Sequence, residues 1–355
     1  MFYESLDISY EEIAWTGPAV NVIALNTIYQ TLDINEDPYV ISLRKQLAKT
    51  TSTTVRARLD QKLSKTIDKK DTFTHKGVRD FLRAACDICW ELGPWAADWY
   101  VAAVIEQARK IEHINNIIMS TWKEQEKDYL LGALKRVQLT AVNQDPQHIA
   151  SRISIKVRKL VDSLVEEETL ARLADESYNG IIFVTRRDSV LALVHLISHL
   201  PETAEIFRIG CLLGSSSSSK RHSFLDITRV MVKNPPGETL SNFRLGELNL
   251  IVSTSVAEEG IDIQACGNVI RFDPPPNMVS WAQSRGRARR KKSTYILFEE
   301  ATGAMSKLEK WQNMEREMVA KYNEQDRLPV EIDAGEEEIE YDMEYRVEKT
   351  GFVLF

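Results

Sequence analysis

Six cations in eight residues, RGRARRKK from Arg285 to Lys292, form the densest grouping in this sequence that could do chemistry. Such a run either neutralises phosphate or forms a solvated face, and its context decides between the two. Three other groupings have ligand-like spacing. Cys86 and Cys89 stand as CxxC, but no second CxxC follows and the pair falls on an apolar helical face, so core thiols are expected rather than zinc ligands. His195 and His199 lie four apart in a predicted helix without a neighbouring glutamate, and packing or surface positions are expected for them. Asp175-Glu176 follows a helical segment, has no apolar strand before it and runs on into Ser177-Tyr178, which reads as surface and not as a magnesium-binding box. No glycine begins the pattern GxxxxGKS or GxxxxGKT, so the sequence contains no such loop to cradle the β- and γ-phosphates of a nucleotide.

The elements that must position these groups follow from pattern. A chain of 355 residues with 43% hydrophobic content can bury a sizeable core and should form about two domains. Its net charge of −7 is misleading as an average, because residues 331 to 344 hold eight acids and no Lys or Arg, leaving the rest near neutral. No apolar run reaches the roughly 18 residues of a membrane span, and the N-terminus opens acidic, so an intracellular, cytoplasmic or nuclear place and no membrane partner are expected. Four cysteines are too few for a disulfide framework in a chain this long.

Residues 1 to 35, with the turn signal Gly17-Pro18, read as a lead-in without its own core. From 36 to 178 the period is helical. Val78, Phe81, Leu82, Ala85, Cys89 and Leu92 recur at helix spacing, Gly93-Pro94 breaks the helix, and Trp95, Trp99, Ala103 and Val104 restart it. A third helix runs through Ile153, Val157, Leu160, Val161 and Leu164. From 179 to 328, short apolar runs alternate with helices: 181–184, 250–254, 269–272 and 295–298 suit strands buried on both faces of a parallel sheet, with 188–200 as a crossover helix. Ser215 to Ser219 and Asn234-Pro235-Pro236-Gly237 read as loops, 303–327 as a helix, and 329–355 as an acidic linker or tail.

Two segments then give the basic run its context. VSTSVAEEGIDIQACGNVIRFDPPP at 252–276 resembles the fifth motif of superfamily 2 helicases, and Gln283 to Arg290 resembles the sixth. GIIFVTRR at 180–187 looks like the fourth motif. The stretches 33–44, 229–247, 264–298 and 344–354 are similar to fungal Dicer-like proteins of the second type, so the resemblance covers nearly the whole chain. It implies a RecA-like α/β domain, the C-terminal lobe of a helicase, preceded by an all-α insertion that grips double-stranded RNA.

The resemblance also implies roles. ATP lies between two sheet domains, and this lobe would present groups across the cleft. Gly260 would allow close backbone approach, Asp262 would accept from the ribose, Gln283 would hold the phosphate side, and Arg287 with Arg290 would act as arginine fingers, Arg289 being an alternative to Arg290. Their spacing of three would put Arg287 and Arg290 on one helical face. Thr185, Thr254 and Glu258 would contact RNA; for Thr254 the competing reading is a strand-end residue capping the next helix. ATP would be shared with a first lobe supplied in cis or trans, which would also bring Mg2+. Neither the phosphate loop nor paired RNase III acidic motifs occur here, so neither ATPase nor RNA-cleaving activity is expected of the isolated chain. Two functions follow: a component of an RNA-silencing, antiviral helicase, or a standalone RNA-binding or regulatory module without catalysis.

Overall fold

The computed structural model describes residues 17–110, 123–213, 231–232, 234–254, 266–288, 292–300, 310–317 and 342–350. The chain divides into two compact units: Met1–Ser154 with Leu191–Pro201 and Ser215–Lys233, and Ile155–Val190 with Glu202–Gly214 and Asn234–Phe355. Among the described residues no helix is long and apolar enough to cross a membrane.

The first unit is helical: α1 (Val20–Thr31), α2 (Pro38–Lys49), α3 (Thr53–Asp68), α4 (Phe73–Leu92), α5 (Pro94–Lys110), α6 (Glu124–Lys135) and α7 (Pro146–Ser151). α4 is its centre. Val78, Phe81, Leu82, Ala85, Ile88, Cys89 and Leu92 recur three and four apart and are all buried, and burying each large apolar side chain contributes about 1.5–3 kcal/mol. Phe81 meets Tyr100 of α5 edge to face at 5.6 Å. Thr72 caps α4 by accepting from the His75 N–H at 3.3 Å, and Asp37 caps α2 by accepting from the Tyr39 N–H at 3.0 Å.

The break between α4 and α5 falls where the sequence places it. Gly93 has φ 110°, and a Cβ there would lie 2.4 Å from the Arg152 carbonyl oxygen and 2.8 Å from the Ile153 Cα. Only glycine fits both the backbone angle and the space.

Of the expected coreless lead-in, residues 1–35, the described part from Gly17 onward does have a core. α1 is part of the bundle, with Val22 and Leu25 fully buried. Its own N-cap, Ala19, has no side chain that can accept a hydrogen bond. Asp98 of α5 replaces it, accepting from the Asn21 N–H at 2.7 Å and the Val20 N–H at 3.2 Å. Asn21 then pairs with Thr140 in both directions, Nδ2 donating at 3.0 Å and Oδ1 accepting at 2.8 Å. Asp98 lies 77 residues away from Asn21, beyond the reach of local pattern.

The second unit contains α8 (Ile155–Leu173) and the parallel sheet. Its elements are β1 (Gly180–Phe183), β2 (Ile209–Leu212), α10 (Pro236–Arg244), β3 (Leu250–Ser253), β4 (Asn268–Arg271), α11 (Met278–Arg285), β5 (Lys292–Glu300) and β6 (Asp342–Thr350); α9 (Arg187–Ile197) links β1 to β2 along the chain. The order is β2-β3-β1-β4-β5-β6, every pairing parallel. β1, β3 and β4 are buried at every residue, the reason their sequences are unbroken apolar runs.

Several boundaries differ from those the sequence pattern suggests. α8 groups with the sheet, so the helical unit stops at Ser154 rather than 178; a helical period does not reveal which neighbour receives the apolar stripe. β2 has no counterpart among the expected strands. It is a partly exposed edge strand with glycine at its second position, and neither alternation nor a full apolar run marks it. Pro235-Pro236-Gly237 opens α10, with Pro236 in its first turn, a position that needs no N–H. Part of the expected acidic tail, Asp342–Thr350, pairs with β5 along nine residues. Residues 310–317 are helical, as expected within 303–327; the Ser215 to Ser219 loop lies outside the described residues.

Two sets of measurements test how the helical unit is held together. Gly93→Ala should lower stability in urea unfolding by about 2 kcal/mol or more, because the left-handed region and the backbone clash both oppose Cβ. Gly132→Ala inside α6, where a Cβ meets nothing within 4 Å, should instead stabilise by about 0.5–1 kcal/mol. Burial pushes Asp98 up to about 6, against the pull of the Asn21 amide and Arg152. A carboxyl raised in the folded state binds more protons there than when unfolded, so its contribution to stability falls as pH rises from about 4 to about 6. Asp98→Asn should flatten the melting temperature against pH across that window, and an unchanged slope would contradict the assignment.

Candidate functional site

The parallel register gives the sheet two chemically different edges. At the C-terminal edge, Thr185 follows β1 and is exposed. Its N–H donates to Asp273 Oδ2 at 2.6 Å. Asp273 stands just past β4, and its other oxygen accepts from Lys156 Nζ at 3.1 Å. That ammonium also lies 4.1 Å from the centre of the Phe272 ring, a cation–π contact that keeps it in place. Lys156 and Asp273 therefore hold the backbone at Thr185. Neither is among the residues expected from sequence; the acid directly after an apolar strand, in Arg271-Phe272-Asp273, was the available signal.

Thr254 follows β3 on the same edge. It is only 8% exposed, and the Ser253 hydroxyl beside it donates to Leu212 O at 3.0 Å and Thr254 O at 2.8 Å. Of the two threonines expected at RNA, Thr185 is open and Thr254 nearly covered. Glu258 lies outside the described residues, as do Gly260, Asp262, Arg289 and Arg290.

α11 starts beyond the C-terminal end of β4, where Asn277 caps it by accepting from the Ser280 N–H at 2.9 Å. Eight residues, about 12 Å of helix, return the chain to the opposite edge. Trp281 and Ser284 face inward: Trp281 stacks on Trp311 at 6.2 Å, and the Ser284 hydroxyl meets Tyr295 Oη at 3.1 Å. Gln283, Arg285 and Arg287 remain partly exposed.

The basic run is not uniform. Arg285 makes a bidentate pair with Glu315, both distances 2.5 Å, and its guanidinium lies 4.9 Å from the Trp281 ring centre. Arg285 thus clamps α11 to helical residues 310–317. Gly286 has φ −61°, an angle any residue adopts, and a Cβ there would lie 3.3 Å from the Ala282 carbonyl oxygen. Arg287 then lies in a turn, its carbonyl accepting from the Cys266 N–H at 3.0 Å, and Ala288 forms a parallel bridge with Cys266. α11 ends at Arg285, so Arg287 is not on that helix; Arg290, expected to share a helical face with it, lies outside the described residues. What the bridge achieves is different. It sets Cys266, within the fifth-motif segment, beside Ala288, within the sixth, at the N-terminal edge of the sheet.

Cys89 is buried on the core face of α4, and desolvation pushes its thiol up to about 12, which leaves it unreactive near neutral pH. His195 stacks on Trp99 at 4.0 Å and Trp95 at 5.6 Å, and His199 lies 4.0 Å from His195; the histidines belong to an aromatic stack in the helical unit. Asp175 and Glu176 are exposed after α8.

Residues 156–292 match the helicase conserved C-terminal domain. The chain is 34% identical to Dicer-like protein 2 of Aspergillus terreus and 36% identical to Dicer-like protein 2 of Neosartorya fischeri, each over 93% of its own length and 23% of the relative's. It thus spans about a quarter of these curated relatives. The Hef helicase domain of Pyrococcus furiosus, a solved structure, covers 82% of the chain and 55% of its own at 18% identity, with a TM-score of 0.36. The chain therefore carries a helicase conserved C-terminal domain over residues 156–292 and is similar along nearly its whole length to a stretch of the fungal Dicer-like proteins of the second type.

Proposed function

We propose that the chain is the second motor lobe of a Dicer-type double-stranded-RNA helicase acting in RNA silencing and antiviral defence inside the cell. The observation that supports this most is the division of chemistry between the sheet edges. Thr185, fixed by Asp273 and Lys156, stands at the C-terminal edge; Gln283 lies near the end of α11 and Arg287 in the turn after it, where the chain reaches Cys266 at the N-terminal edge. A rigid sheet joining an RNA-facing edge to a nucleotide-facing edge lets one lobe movement act on both.

The donor set fits a nucleotide phosphate whose remaining contacts come from a first lobe. Gln283 supplies an amide and Arg287 a guanidinium, while Arg285 is committed to Glu315. Bound between the lobes, ATP with its Mg2+ supplies the phosphoryl group. Arg287, with Arg290, spreads positive charge over that group, and the turn's backbone bonds keep Arg287 aimed while charge builds. Gly260 and Asp262 take the ribose side. Thr185, Thr254 and Glu258 hold RNA phosphates and 2′-hydroxyls with little sequence preference. A binding module without catalysis would share the RNA edge and have no use for Arg287, which is where experiment separates the two.

The isolated chain should hydrolyse ATP no faster than buffer, with or without duplex RNA. With a first lobe supplied in trans or by fusion, Arg287→Ala should cut RNA-stimulated turnover by about 10³-fold while RNA affinity stays nearly unchanged. Equal loss of RNA affinity without loss of turnover would reduce the run to a basic patch. Arg285→Ala should behave differently: it removes a clamp and a ring contact, lowers the melting temperature by a few degrees for about 1 kcal/mol, and reduces turnover only where unfolding does.

A further inference from the structure

The helical unit contains a cavity of about 320 Å³ that the proposed function leaves unused. Its lining comes from the start of α1, from α5 and from residues 140–143 of the segment that joins α6 to α7, a segment in no helix or strand. The charged groups deepest in it are already engaged. Asp98 accepts from the Val20 and Asn21 amides, and Arg152 donates to the Pro18 carbonyl at 2.8 Å while lying 3.7 Å from Asp98. What remains to meet an occupant is the surface of Val20, Trp95, Ala141 and Val142, so the cavity suits an apolar group rather than an ion. The joining segment also has an open backbone edge. Thr140 presents both its N–H and its carbonyl to the Asn21 side chain, the arrangement of an extended strand, in which the N–H and C=O of Leu139 and Ala141 point the opposite way. Among the described residues neither Leu139 nor Ala141 has a backbone hydrogen bond.

We infer that residues 6–15 of this chain form a strap over this site, with Leu6–Tyr10 pairing as a strand along the free edge at Leu139 and Ala141 and Trp15 seated in the cavity. The chain enters at the right place. Pro18 lines the cavity, and Gly17, at φ 78°, turns the backbone beside it. Trp15 stands two residues earlier, within about 7 Å of Gly17, and the five steps from Tyr10 to Trp15 span up to about 17 Å, enough to round the joining segment. Pattern and charge agree with the place. Leu6, Ile8 and Tyr10 alternate with Asp7 and Ser9, the period of a strand. Residues 1–16 hold four acids and no Lys or Arg, and the free edge follows Lys135 and Arg136, both exposed, so the two partners attract. An edge of two residues is too short to hold a free peptide, but a tethered segment pairs within its own molecule and escapes that cost.

Hydrogen exchange of the full chain, read amide by amide, tests the strap. In the parent the Leu139 and Ala141 amides should exchange at least about 10-fold more slowly than open-chain amides. Two variants should return them to the open rate: one carrying Asp7→Pro and Ile8→Pro, which removes N–H donors from both sides of the strand, and one carrying Trp15→Ala. The Thr140 amide, bonded to Asn21, should keep its rate in both and so report that the bundle is still folded. Should Thr140 open as well, the milder Ile8→Ser and Trp15→Phe take their place, with a partial loss of protection expected and none overturning the strap. Open Leu139 and Ala141 amides in the parent would overturn it directly. Protection that either variant leaves intact means that another occupant covers the edge, and protection that grows with protein concentration means a second copy of the chain; in both cases the inference fails.

Discussion

The parallel pairing of β1 with β3 on one side and β4 on the other is the constraint from which the sheet unit takes its organisation. Strands that all run one way must each be followed by a return across the sheet, so every connection begins at one edge and ends at the other. Thr185, Thr254 and Asp273 share the C-terminal edge because each closely follows a strand. Arg287 reaches the N-terminal edge because α11 is the return between β4 and β5. The Cys266–Ala288 bridge then joins two segments 22 residues apart in the chain. No residue of either motif needs to attract the other for this to happen; strand direction and helix length bring them together.

In the helical unit, order depends on contacts made at long sequence separation. Gly93 admits a sharp reversal only because no Cβ collides with Arg152 and Ile153. Asp98 supplies α1 with the cap that Ala19 lacks. The carboxylate is costly to bury, and its backbone donors with Arg152, 3.7 Å away, offset that cost in part. Charge burial is thus the local weak point of a bundle otherwise held by apolar packing.

Charge is the least reliable guide when averaged and the most informative when placed. A net −7 hides both the acidic 331–344 stretch and the cationic 42–70 segment. Within RGRARRKK, identical side chains two residues apart have different uses: Arg285 is closed onto Glu315 and Trp281, while Arg287 follows the helix end with its backbone bonded to Cys266. Spacing along the chain does not distinguish them; the end of α11 at Arg285 does, leaving Arg287 in the turn that follows.

Much was legible in sequence because it is local. Unbroken apolar runs marked β1, β3, β4 and the core of β5; the three- and four-residue period marked α4, α5 and α8; Gly93-Pro94 marked the break between α4 and α5, and the motif residues marked the helicase lobe. These signals arise from neighbours within a few turns, where side-chain direction follows the backbone period. The tertiary structure alone decided the rest: that α1 belongs to the bundle, that α8 belongs with the sheet, that 342–350 adds a strand, and that Asp273 with Lys156 holds Thr185. Each of these depends on a partner tens of residues or more away. A one-dimensional pattern records which face of an element is apolar, but the identity of the group that meets it is settled only by the packing of the whole chain.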